Sequence, residues 1–337
     1  MANAPLAIRY SPLASPYTRT ADCLLPTSLM IIVFGSINID LVTRAERIPG
    51  PGETVLGLDY VANPGGKGAN QALAARRAGA KVAMVGAYGR DGFADEALAL
   101  LRADGVDLSA SRAVNKPTGA AFIVVDDHGE NAIVVASGAN AEARASQLAA
   151  LSIGPADWLL LQREAPESEV EAAAVAARRQ GARVLLNNAP AQMISKALLG
   201  ALDVLCVNET EASIVGRSLK LASSEPEAVV REIAATTGMA TLVTLGSAGA
   251  VGYARAERFL APAPPVAVVD TTAAGDAFVG AFAAARDHGG DFAEALRYGL
   301  AAGSLACTAA GAQPSLPRAA AIEALARTIE VARSPAG

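Results

Sequence analysis

Beyond residue 30 two patterns alternate along the chain. Short runs of β-branched and other apolar residues occupy 31–34, 81–85, 158–161, 184–186, 204–207, 241–245 and 266–269. Between many of them lie alanine-rich stretches of helical period at 68–78, 93–101, 168–179 and 226–236. Continuously apolar strands alternating with helices predict a mostly parallel central sheet covered by helices on both faces, a three-layer α/β sandwich. In such sheets ligands bind beyond the carboxyl ends of the strands.

The rhythm breaks in one region. Runs at 55–61, 120–125 and 131–136 read as strands, with no helix between the last two and a good turn, Asp126-Asp-His-Gly129, joining them. Segments near 52–62 and 118–137 therefore predict a small second sheet projecting from a single domain that spans 30–337. Residues 1–29 have another character: Pro5, Pro12, Pro16 and Pro26 interrupt a Ser/Thr/Ala-rich stretch holding Arg9, Arg19 and Asp22. The expectation is a disordered extension or a start assigned upstream of a natural one at Met30. The prolines argue against the amphipathic helix of a transit peptide.

Composition narrows the function. Apolar residues make up 52% of 337, enough for a large core. The formal charge is −5 and no run of five like charges occurs, so a nucleic-acid partner is not expected. Cys23, Cys206 and Cys307 are scattered without a CxxC pair, which argues against a disulfide framework or zinc site and fits a reducing cytoplasm. The only histidines, His128 and His288, sit in a turn and at a predicted helix end, poor places for a hydrolytic triad. No stretch is long and apolar enough for a bilayer-spanning helix, so no membrane association is expected; the apolar run 299–312 reads as a buried helix.

Four motifs carry chemistry. In the first, an apolar run enters Asp270-Thr-Thr-Ala-Ala-Gly-Asp276 and a helix follows. The N–H groups of Ala273, Ala274 and Gly275 at that helix start suit a phosphate, and Asp276 beside them suits a base that deprotonates a hydroxyl. Asp276 alone could equally cap the helix. The second, Asn63-Pro-Gly-Gly-Lys-Gly-Ala-Asn70, is neither a Walker A loop nor GxGxxG. It offers backbone donors with Lys67 and Asn70 to a polyhydroxy ligand, or is an ordinary helix start. In the third, Gly35-Ser-Ile-Asn-Ile-Asp40, Asn38 and Asp40 lie two apart at the end of the first strand and face one side. They could hold adjacent hydroxyls or belong to a turn. In the fourth, Val207-Asn-Glu-Thr-Glu211, the acids suit a magnesium–phosphate site reached through water, or an N-capped surface helix.

From about Ile31 to Leu316 the chain resembles the ribokinase-like (phosphofructokinase-B) family of kinases. The likeness is carried by these four motifs together with Pro51-Gly-Glu-Thr-Val55, Gln71, Thr118-Gly119, Gly129-Glu-Asn131, Gly138-Ala-Asn140, Thr244-Leu-Gly-Ser247 and Gly311-Ala-Gln-Pro-Ser315. The two glycine-rich motifs, correctly ordered and spaced, are the specific part. The resemblance implies a ribokinase-like three-layer sandwich with a small β lid that closes over sugar and pairs in a homodimer. It implies ATP-dependent phosphorylation of D-ribose at the 5-hydroxyl, with Asp276 as base and Ala273, Ala274 and Gly275 as anion hole. Asn38, Asp40, Gly65, Gly66, Lys67, Gly68, Asn70, Glu164 and Asp276 match sugar-contacting positions. Asn208, Thr244, Leu245, Gly246, Ser247, Ala248, Gly249 and Gly275 match nucleotide positions. Glu211 matches the acid that orders Mg2+ through water, and Asp270, Thr272, Ala306, Ala309, Gly311 and Ser315 match a K+ loop.

Asn188, where the family more often has proline, and Arg163, where an apolar residue is expected, depart from the pattern near the sugar pocket. Asp276 is expected to ionise readily beside the helix dipole. The rival readings are a sister kinase for deoxyribose, a nucleoside, fructose or a keto-deoxy sugar acid, and a silent sugar- or nucleotide-binding regulator. Nucleosides would need a larger aromatic pocket than 4% aromatic residues favour, and a dinucleotide-binding dehydrogenase would need GxGxxG after the first strand.

Overall fold

The structure, a computed structural model, describes residues 30–336; the predicted extension at 1–29 and Cys23 lie outside them. The central sheet has nine strands in the spatial order Ala332–Pro335, Glu257–Ala261, Ala250–Ala254, Ala240–Thr244, Val204–Asn208, Arg183–Asn187, Trp158–Leu161, Ile31–Phe34 and Val82–Val85. From Ala240–Thr244 to Val82–Val85 neighbouring strands run parallel, and the remaining three continue the sheet antiparallel. Successive side chains of a strand face opposite ways, so the two helical layers take alternate residues. Ile31 and Val33 join the core under the helices Lys67–Arg77, Gly92–Ala103, Ala274–Asp287 and Phe292–Ala306, while Ile32 and Phe34 join that under Glu167–Arg179, Glu209–Leu219 and Pro226–Thr237. Both faces being covered is why these strands lack polar alternation.

A four-stranded sheet, in the order Tyr60–Gly65, Asn38–Arg44, Gly119–Val125, Asn131–Ala136, stands apart from the large one. Three expectations change here. The Asn38/Asp40 motif does not end the first strand: it opens a strand of the small sheet, paired in register with Gly65 and Asn63. The predicted strand at 55–61 begins at Tyr60 instead and runs on to Gly65. The run 266–269 is not a strand at all. Pro262, Pro264 and Pro265 follow the strand Glu257–Ala261 and lack the N–H that a ladder needs. Val269 N–H donates instead to the Cys307 carbonyl. The buried helix expected at 299–312 is Phe292–Ala306, which stops before the turn leading to Gly311. No helix of the described residues is long and apolar enough to cross a membrane.

Candidate active site

Two helix starts meet beyond the carboxyl ends of the strands. The helix Lys67–Arg77 follows Gly66, whose φ of 87° is the left-handed conformation that favours glycine and where a Cβ would come within 2.7 Å of the Asn38 nitrogen. The helix Ala274–Asp287 follows Ala273, also left-handed at φ 60°, a conformation costing a non-glycine residue about 1–2 kcal/mol. No side chain caps this helix, and Asp276 does not serve as its cap. Its carboxylate turns across to the other helix, accepting from Asn70 Nδ2 on Oδ2 and from Gln71 Nε2 on Oδ1, each at 2.9 Å.

The expected sugar positions gather around this junction. The Asp40 carboxylate lies over Gly65, where a Cβ would come within 2.2 Å of Asp40 Oδ2. Glu164 accepts from the Ser36 hydroxyl at 2.6 Å and from Lys67 N–H at 3.1 Å. Asn38 Oδ1 accepts from Asn140 Nδ2 at 2.6 Å, and Asn140 is locked in turn by Ile37 N–H. Gly68 is buried, with its N–H spent on Ser36 Oγ, so it serves packing rather than offering a donor.

The charges converge as closely. Burial pushes the Asp40 pKa up to about 7, helped by Glu164 and Asp276 and opposed by Lys67. Burial also raises the Asp276 pKa, against lowering by Lys67 and by the Asn70 and Gln71 hydrogen bonds. Asp276 therefore does not ionise as readily as an exposed acid at a helix start: desolvation of a buried carboxylate outweighs the favourable groups around it. At Lys67 burial works against the charge, but the carboxylates of Asp276, Glu164, Glu211 and Asp40 hold its pKa above the ordinary value.

On the other side of Asp276 lie two adjoining cavities. A small polar one of about 220 Å³ is lined by Lys67, Asn187, Asn208, Glu211, Thr271, Ala273, Gly275 and Asp276, among others. A larger, mainly apolar one of about 610 Å³ is walled by Pro264, Val266, Val268, Phe278 and Leu300 and shares Thr244, Thr271, Ala274 and Gly275 with the first. A polar recess at a helix N-terminus opening into an apolar slot suits a triphosphate with its base. Thr244, Gly246, Ser247 and Gly249 line the larger cavity as expected, whereas Leu245 packs into the core and Ala248 is exposed without lining it. Of the three expected anion-hole donors, Ala274 N–H is engaged by the Thr271 carbonyl at 3.2 Å.

Glu211 lines the small cavity and also closes a reciprocal capping box with Asn208. The N-cap expected of that motif is present, and it leaves the Glu211 carboxyl at the cavity wall. Burial raises its carboxyl pKa, opposed by Asn208 N–H and Lys67. No group of three or more His, Cys, Asp or Glu able to cage a metal occurs among the described residues. The donor set fits a divalent ion carried mainly by phosphate oxygens and water. Asp270 draws the expected monovalent-cation loop together: Oδ1 accepts from Thr272 N–H and Oγ1, and Oδ2 accepts from Gly311 N–H at 2.9 Å. Its own N–H reaches the carbonyl of Cys307, next to Ala306, while the Ser315 hydroxyl donates to the Ala312 carbonyl. Ala309 is exposed in the turn between. One carboxylate among carbonyl and hydroxyl oxygens suits a weakly hydrated monovalent ion.

Reasoning from residues alone passed over Ser36, Gln71, Asn140 and Asn187. Gln71 and Asn140 stood inside recognised motifs, and a polar residue amid alanines and glycines was the available signal. The two departures lie away from the base. Arg163 donates to Glu167 and to the Met193 carbonyl, and Asn188 donates to the Gln192 carbonyl.

A model of the pfkB family of carbohydrate kinases matches residues 28–319. A ribokinase of Haemophilus influenzae is 39% identical over 294 residues, which cover 85% of this chain and 95% of that protein. The crystal structure of a ribokinase from Thermotoga maritima superposes with a TM-score of 0.81 at 34% identity, over 89% of this chain and 100% of the other. An Arabidopsis thaliana ribokinase complexed with ribose and ATP gives a TM-score of 0.79 at 31% identity, over 89% and 99%.

Proposed function

The chain belongs to the pfkB family of carbohydrate kinases, and on that premise we propose that it transfers the γ-phosphoryl group of ATP to the 5-hydroxyl of D-ribose, giving ribose 5-phosphate and ADP. The observation that carries the reading is the position of Asp276. It is held by Asn70 on the sugar side and lines the polar cavity on the phosphate side. A ribokinase 39% identical and a structural relative holding ribose and ATP support ribose as the acceptor.

Asp276 takes the proton of the hydroxyl as that oxygen attacks the γ-phosphorus in line with the departing ADP oxygen. Asn38, Asp40, Asn70 and Glu164 orient the sugar, and Lys67, seated among four carboxylates, offsets charge developing on the transferred group. The helix start stabilises the same charge through its dipole and the N–H groups of Ala273 and Gly275. Glu211, on the wall of the polar cavity, would hold magnesium through water, and that ion would supply further neutralisation of the phosphates. Potassium would sit in the loop that Asp270 gathers with Thr272 and Gly311, next to the helix that carries the base.

The small sheet acts as a lid that excludes water and as the face on which two copies pair. Leu58, Tyr60, Val61 and Val134, each more than half exposed, support that pairing. A cytoplasmic site of action accords with scattered thiols, Cys206 buried and both described cysteines unpaired.

A coupled assay of ADP release tests the reading, with ribose set against deoxyribose, fructose, a nucleoside and a keto-deoxy sugar acid, each with and without potassium. Turnover should be highest with ribose and rise with potassium. Inert ribose beside a turned-over rival would move the assignment to a sister kinase.

A further inference from the structure

Gln71 is fully enclosed, and both hydrogens and the oxygen of its side-chain amide are engaged. Nε2 donates to Asp276 Oδ1 at 2.9 Å and to Asn187 Oδ1 at 3.0 Å. Oε1 accepts from Gln162 Nε2 at 2.6 Å. An amide flipped end for end would present its oxygen to two acceptor oxygens and its nitrogen to a donor, so only one orientation is compatible with these partners. Gln162 is itself wholly buried, with its Oε1 pressed against Gly35 at the end of the first strand. Asn187 ends another central strand and lines the polar cavity. The amide of Gln71 thus ties the base to two strands of the rigid sheet, while lining neither cavity itself.

We propose that Gln71, clamped by Gln162, is the positioning residue of the phosphoryl-transfer base, fixing Oδ1 of Asp276 so that Oδ2, on the Asn70 side, is the oxygen that takes the sugar proton. This deepens the reading of Asp276 as base and rests on it. The division of labour follows from the surroundings. Asn70 stands at a sugar position and changes partners as sugar enters and leaves. Gln71 is sequestered from both ligands and holds the carboxylate plane through the cycle. Its donation also favours the ionised carboxylate. The same carboxylate is faced by Lys67 from its own helix, Glu164 beyond a central strand, Asp40 from the small sheet, Glu211 from a neighbouring helix, and the Cys206 thiol beneath.

The test compares Gln71→Met and Gln162→Met with the wild-type enzyme, reading kcat, the KM for ribose and the pH profile of kcat, with folding checked by circular dichroism. For Gln71→Met, kcat should fall about 10- to 100-fold with KM for ribose changed by less than about threefold, since alignment is lost and binding is not. The acid limb of the kcat profile should move to higher pH, because a hydrogen bond to the charged form is gone. Gln162→Met should move the limb the same way by less. An unchanged kcat for Gln71→Met, or a lower kcat with an unmoved acid limb, overturns the proposal. Should Gln71→Met not fold, the acid limb of Gln162→Met decides by the same criterion. Inactivity of the wild type towards ribose, or full activity of Asp276→Asn, would instead overturn the base assignment beneath it.

Discussion

The amide of Asn70 donates to the carboxylate of Asp276 at 2.9 Å, joining the first turns of two helices whose residues stand 206 positions apart. The bond holds the two helix starts face to face. A sugar bound over Asn70 and a phosphate bound at the Ala274–Asp287 helix, as proposed, would share one acid.

Replacing that acid is the most direct check. Asp276→Asn keeps the shape and, with its Oδ1 turned to Gln71, one of the two accepted hydrogen bonds, but it cannot take up the proton. Turnover should drop about 10²- to 10⁴-fold, while ribose binding measured by calorimetry persists. Activity near the wild-type level would refute the mechanism.

Lys67 balances four carboxylates. Lys67→Met should cut kcat on the order of 10²-fold through lost stabilisation of the transferring group. It should also move the acid limb of the profile upward, because Lys67 lowers the pKa values of Asp276 and Asp40. Steady-state kinetics between pH 5.5 and about 9 would show both effects; a limb that stays in place would separate Lys67 from the base.

Asp40 makes stability depend on pH. Its carboxyl titrates at about 7 in the folded chain against an ordinary 3.8, so between those values the native state holds a proton that the unfolded state releases. Its contribution is fully present below 3.8 and is lost as the pH rises through about 7. Thermal unfolding of the ligand-free protein should therefore show a falling trend over that window that Asp40→Asn flattens. Identical slopes for the two proteins would contradict the burial argument.

Gly65→Ala tests how tightly the sugar site is built. The added Cβ would stand 2.2 Å from Asp40 Oδ2, which must move aside. The KM for ribose should rise by about tenfold or more, as the loss of one hydrogen bond to a charged group implies. Nucleotide binding, followed separately by fluorescence or calorimetry, should be little changed.

Pairing through the lid gives a prediction about mass. Leu58, just before the strand Tyr60–Gly65, and Val134 on the small sheet are 95% and 68% exposed. Light scattering should find a dimer for the wild type and a monomer for Leu58→Glu combined with Val134→Glu. A monomeric wild type at micromolar concentration would remove the lid interface from the account.

Much of the fold was readable from residues. Continuous apolar runs such as 31–34 and 204–207 read as strands covered on both faces and are so in the structure, and the helices between them follow from alanine-rich periodicity. The run 266–269 was misread because apolar composition outweighed the prolines before it; Val266 and Val268 border a cavity instead of filling a sheet. Asn38 and Asp40 were correctly paired by their spacing, yet assigned to the wrong sheet, since alternation names a face and not a partner strand.

Taken alone, the residues determined the layer order and the places where glycine opens a helix, and they singled out Asp276 as a candidate, because backbone preference and burial period are local properties. The tertiary structure decided what that acid experiences. Asp276 was expected to ionise freely at a helix start. In the folded chain it is enclosed, faces Lys67 and Glu164, and is held on one oxygen by Asn70 and on the other by Gln71. Proton affinity and orientation depend on which polar groups share one desolvated volume, and that is set by the packing of distant helices against a common sheet.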